Sequence, residues 1–89
     1  MKKNIDDFRK QIDLIDDQLI NLLAKRLLIV RKVGKWKKQR NLPALDRNRW
    51  QKVLTDKMKR VKKLNINPEL IKKIYEAIHE EALKIEKNL

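Results

Sequence analysis

An apolar heptad interrupted by a single charge runs from Ile5 to Trp36, and it constrains this chain more than any other feature. One seam reads Ile5, Ile12, Leu19, Arg26, Val33, and the other reads Phe8, Ile15, Leu22, Ile29, Trp36. Alternating steps of three and four residues held this long specify an α-helix with one sticky stripe. Asn4 is placed to cap it, and Asp7 completes a capping-box-like start. Nothing breaks the pattern before Asn41-Leu42-Pro43, so the first helix is expected over about 4–40. Such a helix is roughly 54 Å long. A compact globule of 89 residues is only about 30 Å across. The helix therefore outruns its own monomer, and half of its seam is bare unless a second chain covers it. The expected assembly is an intertwined homodimer with two long helices side by side. The alternative is a kink near Gly34, the only glycine. Inside the periodic run Gly34 reads as a close-packing position, held at a propensity cost of about 1 kcal/mol.

Breakers elsewhere cluster at two places, Pro43 and Asn67-Pro68. They divide the chain into three helices, an all-α single domain over 1–89. The second helix is expected over about 47–64, capped by Asp46, with Trp50, Val53, Leu54, Val61 and Leu64 on its apolar face. The third is expected over about 68–87, with Asn67 as cap and Pro68 at the first helical position. Its face runs Ile71, Ile74, Tyr75, Ile78, Ala82, Ile85.

Several cations do not fit a merely solvated surface. Arg26 stands on the seam where neighbouring repeats carry Ile, Leu or Val. A charge among apolar neighbours is costly unless paired. No acidic residue lies at 22, 23, 29 or 30. Its partner is an acid on another helix, or an anionic ligand; snorkelling to the surface is a third outcome. Lys37 lies eleven residues later, close to three turns, so both side chains point the same way about 16 Å apart. Arg9 is too far along the helix to grip the same small molecule within one chain, but Arg9 of an antiparallel partner could. Arg49, in the first turn of the second helix, is unfavourable at the positive end of the dipole. It pairs with Asp46 or faces an anion bound there. Together these residues outline a pocket for a small polyanion.

Composition removes most other chemistries. Cysteine is absent and there is one His, which excludes a thiolate nucleophile, a Cys-rich metal site and a disulfide framework. A His-rich metal site is excluded as well. The N-terminus shows no apolar secretory segment, and no apolar run is long enough to span a bilayer. A cytoplasmic protein without membrane association is the expectation. The net charge of +12 raises nucleic acid as a partner. The lysines scatter around all three helices, however, and an aromatic content of 4% is too low for a stacking platform. No nucleic-acid partner is expected, and a purely structural coiled coil leaves Arg26 unexplained.

Four stretches carry a family resemblance. Arg9-Lys10-Gln11-Ile12-Asp13-Leu14-Ile15-Asp16-Asp17-Gln18-Leu19 resembles R-x-x-I-D-x-I-D-x-x-L/I. Leu22-Leu23-Ala24-Lys25-Arg26 resembles L-L-A-x-R, and Val33-Gly34-Lys35-Trp36-Lys37 resembles V-G-x-x-K. Pro43-Ala44-Leu45-Asp46-Arg47-Asn48-Arg49 resembles the loop P-x-x-D-x-x-R. In order and evenly spaced over about residues 5–87, they are similar to the all-helical chorismate mutase family. The resemblance implies an intertwined dimer of three-helix chains. It also implies the rearrangement of chorismate to prephenate, on the route to phenylalanine and tyrosine, without a cofactor. By matched position, Arg26 and the partner subunit's Arg9 would bind the substrate's two carboxylates. Lys37 would donate to the ether oxygen of the breaking C–O bond, and Val33 would be an apolar wall. Arg49 and Asp46 would order the loop end of the pocket, with the Asp46 backbone meeting the ring hydroxyl.

Three positions depart from the family pattern. Trp50 replaces a Glu that usually accepts from the ring hydroxyl, Ala82 replaces a frequent Ser, and Glu86 stands where Gln is common. Glu86 must be protonated to donate to the ether oxygen, so activity is expected to rise toward acidic pH. An apolar residue at position 50 resembles the branch that eliminates pyruvate from isochorismate. Enzymes acting on amino-deoxychorismate share the fold too. Asp46 and the loop pattern favour the mutase. His79 approaches the pocket from the third helix or is structural.

Overall fold

A computed structural model describes residues 4–89. Three α-helices follow in order: α1 Ile5–Gln39, α2 Arg47–Leu64 and α3 Pro68–Lys87. Each starts where local chemistry satisfies its free N–H groups. The Asn4 side chain accepts from the Asp6 and Asp7 amides, and the Asp7 carboxylate accepts from the Asn4 amide at 3.1 Å. Asp46 Oδ1 accepts from the Arg49 amide at 3.0 Å. Asn67 Oδ1 accepts from the Glu69 amide, with Pro68 at the first position.

The first two helices close on asparagines rather than glycines. Asn41 and Asn65 sit at φ 56° and 57°, in the left-handed region that Asn tolerates. The following amides reach back: Leu42 N–H donates to the Lys37 carbonyl, and Ile66 N–H to the Val61 carbonyl.

α1 is continuous through Gly34, with no kink into a shorter pair of helices. It packs on α3, and α3 packs on α2. Gly34 is buried where α1 meets α3, and a Cβ there would lie 3.2 Å from the Glu86 Cα. The close-packing role expected of Gly34 has this physical cause: a Cβ there would press on the Leu89 and Glu86 side chains and on the Glu86 backbone. Val61 and Ala82 are the buried apolar side chains.

The molecule is correspondingly elongated. It extends 61 × 25 × 15 Å with a radius of gyration of 16.9 Å, against about 12 Å for a compact chain of this length. Every residue from Phe8 to Arg26 is exposed. The two apolar seams lie open to water, with Ile12 at 55% and Leu19 at 59% exposure. Among the described residues, no helix is long and apolar enough to cross a membrane.

Candidate active site

The main cleft, about 400 Å³, lies where all three helices converge near the C-terminal half of α1. α1 contributes Arg26, Ile29, Val30, Val33 and Lys37, at spacings that keep one face of the helix toward the cleft. Ala44 and Asp46 line it from the loop and the start of α2, followed by Arg49, Trp50 and Val53. α3 supplies His79, Ala82, Leu83 and Glu86. The volume suits a small molecule, and the mixture of apolar wall and few polar groups is that of a ligand site.

Every residue singled out from the sequence lines this cleft except Arg9. Arg9 lies toward the other end of α1, exposed, with Nη1 3.5 Å from Asp6 Oδ1. Sequence reading did not single out Ile29, Val30, Ala44, Val53 or Leu83 for the pocket. The signal for two of them was helical phase: Val30 follows Arg26 by four residues, and Leu83 precedes Glu86 by three.

Lys37 is held at the centre. Its Nζ donates to the Ala44 carbonyl at 2.7 Å and lies 2.8 Å from Glu86 Oε1. The Glu86 side chain is only 9% exposed. Its Oε1 has Lys37 as ion-pair partner and makes no further hydrogen bond. The pair ties α1 to α3, and the Ala44 bond ties the interhelix loop to both.

Neither Arg26 nor Arg49 makes an ion pair among the described residues. This answers two questions that the sequence leaves open. No acid of another helix in the same chain neutralises Arg26, which is exposed yet borders the cleft. Nor do Arg49 and Asp46 pair as side chains, because Asp46 accepts the Arg49 backbone amide instead. Arg26, Arg49 and Lys37 thus present positive charge to one cleft.

Trp50 does not sit in an isolated core. It stacks on His79, with ring centroids 4.0 Å apart and planes within 9°. Burial holds the His79 imidazole below its ordinary protonation range; Glu86 opposes that shift, Arg26 adds to it, and Glu80 opposes it. The neutral form of the ring is thereby favoured.

The sequence profile of the family described as chorismate mutase type II matches residues 8–87. A bifunctional chorismate mutase/prephenate dehydratase of Buchnera aphidicola subsp. Schizaphis graminum is 34% identical over 89 residues, covering 99% of this chain and 23% of that protein. A T-protein of Enterobacter agglomerans is 35% identical over 74 residues, covering 83% of this chain and 20% of that protein. A T-protein of Haemophilus influenzae is 38% identical over 68 residues, covering 76% and 18%. This chain spans less than a quarter of the length of these relatives. No solved structure gives a significant match. With three helices in the expected order, a cation-lined cleft between them and a profile that spans nearly every residue, the chain belongs to the chorismate mutase type II family.

Proposed function

We propose that this chain catalyses the rearrangement of chorismate to prephenate, as a cytoplasmic homodimer serving aromatic amino acid synthesis. One observation carries the reading. Arg26, Lys37 and Arg49 border a single cleft with an apolar wall, and both arginines lack an anionic partner among the described residues. A dicarboxylate supplies the missing counter-charge.

The reaction is unimolecular and pericyclic, so it needs no nucleophile. Arg26 and the partner subunit's Arg9 grip the two carboxylates and hold the folded conformer. Arg49 orders the loop end of the cleft, and Ile29 and Val33 bound the ring. Lys37 turns from Glu86 toward the ether oxygen, where negative charge develops as the C–O bond breaks. Glu86, when protonated, is the second donor to that oxygen. A millionfold acceleration corresponds to about 8 kcal/mol. Positioning and one or two such donors, each worth about 2.7–4 kcal/mol, suffice.

The homodimer rests on the open seam of α1, where Phe8, Ile12, Ile15, Leu19 and Leu22 are all exposed. A second copy lying antiparallel covers that seam and brings its Arg9 toward the first chain's Arg26.

The test is chorismate consumption by purified protein with product identification. Prephenate is expected, and Arg26→Ala should lower the rate about 10²–10³-fold. Trp50, with no acceptor atom, gives the elimination of pyruvate from isochorismate as the second reading. Pyruvate from isochorismate, with chorismate untouched, would overturn the mutase.

A further inference from the structure

We propose that His79 is the hydrogen-bond acceptor for the hydroxyl on the substrate's ring, with Trp50 as the residue that positions it. The assignment rests on the mutase reading above and deepens it.

The cleft's side-chain acceptors are the Asp46 and Glu86 carboxylates and the His79 ring. Arg26, Lys37, Arg49 and the Trp50 indole N–H donate and cannot accept. The Ala44 carbonyl already accepts from Lys37. The Glu86 carboxylate faces Lys37, and in the mechanism above it acts as a donor. Asp46 Oδ1 accepts the Arg49 amide at the start of α2. His79 is the one uncharged side chain among the cleft's lining residues that carries an acceptor nitrogen, and its ring nitrogens make no hydrogen bond among the described residues. Burial lowers the pKa of the imidazole and so favours its neutral form, which offers one in-plane lone pair.

The stack gives that lone pair a direction. With planes within 9° and centroids 4.0 Å apart, the indole covers one face of the imidazole. The ring nitrogens lie in the plane, so the stack covers one face without engaging either of them. Both rings line the same cleft as Arg26 and Lys37. A substrate hydroxyl drawn out of water beside four donor groups needs an acceptor, since an unmet buried donor is costly. Trp50 cannot provide one, and the ring stacked on it can.

The experiment compares chorismate with its analogue lacking the ring hydroxyl, each kcat/KM divided by the compound's spontaneous rate. Wild type is expected to favour chorismate by about two- to twelvefold, the range of one neutral hydrogen bond. His79→Phe keeps an aromatic stack on Trp50 and removes the acceptor. It should bring the ratio to about one, leaving the rate on the analogue within about twofold. His79→Gln, with an amide oxygen, should restore part of the preference. Equal losses on both compounds in His79→Phe, or an unchanged ratio, would overturn the assignment while the mutase reading stands. Wild type that turns over neither compound overturns both.

Discussion

Lys37 and Glu86 make a prediction that separates stability from catalysis. Their charged atoms are 2.8 Å apart, and the side chains are 19% and 9% exposed. At an effective dielectric near 20 the gross attraction is about 6 kcal/mol, most of it offset by desolvation of both ions. Lys37→Met leaves the Glu86 carboxylate buried without its cation and the Ala44 carbonyl without its donor. Removal of one partner from a fully buried pair costs about 3–5 kcal/mol. Water reaches the Lys37 end, so about 2–4 kcal/mol is expected here. Glu86→Gln alone keeps a polar partner for Lys37 and should cost about 1 kcal/mol. The double variant carries no stranded charge and should regain about 2 kcal/mol relative to the sum of the single changes. Activity follows a different rule. Lys37→Met should lower the chorismate rate about 10²–10³-fold, and the double variant should not recover it. Urea unfolding at one fixed protein concentration, beside a chorismate assay on the same samples, reads both quantities. Strictly additive stabilities, or a double variant with restored activity, would refute the reasoning.

Three further outcomes follow from the same geometry. Gly34→Ala gains about 1 kcal/mol of helix propensity but brings a Cβ to 3.2 Å from the Glu86 backbone; overpacking of about 1–3 kcal/mol should win, and a variant more stable than wild type with full activity would contradict it. His79 has a folded-state pKa below its ordinary 6.5, so the unfolded chain binds the proton more readily. Its stabilising contribution is complete above about pH 6.5 and is lost as pH falls through the lower folded value; because it is the chain's one His, its ring signal in proton NMR titrates alone, and a midpoint at or above that of the unfolded chain would be the wrong sign. Leu19→Glu puts a charge on a seam that its own chain leaves 59% exposed; sedimentation should find monomers with little activity, and an unchanged mass would remove the proposed interface.

What was legible in the sequence was the local chemistry. Asn4 with Asp7, Asp46, and Asn67 with Pro68 each mark a helix start by side chains that meet neighbouring amides, and the helices begin there. The eleven-residue step from Arg26 to Lys37 is likewise a property of one helix, and both residues line the cleft. Gly34 was legible as a close approach because nothing else in the heptad needs a glycine. Contacts between helices were not. The Lys37–Glu86 pair depends on how α1 docks on α3, and the Trp50–His79 stack on how α2 docks on α3. No periodicity encodes either distance. Asp46 and Arg49 illustrate a local ambiguity: at that spacing a side-chain ion pair and an N-terminal cap compete, and the cap forms.

The uncovered stretch from Phe8 to Arg26 has a genetic consequence. If each cleft takes Arg26 from one copy and Arg9 from the other, two dead alleles can rescue one another. Arg9→Ala and Arg26→Ala chains, each inert alone, would on mixing form hybrids with one intact cleft and one doubly damaged cleft. Random pairing makes half of all dimers hybrid, so about a quarter of wild-type turnover returns. Dilution would then abolish it, because the shared cleft lasts only as long as the two strands of the pair stay together.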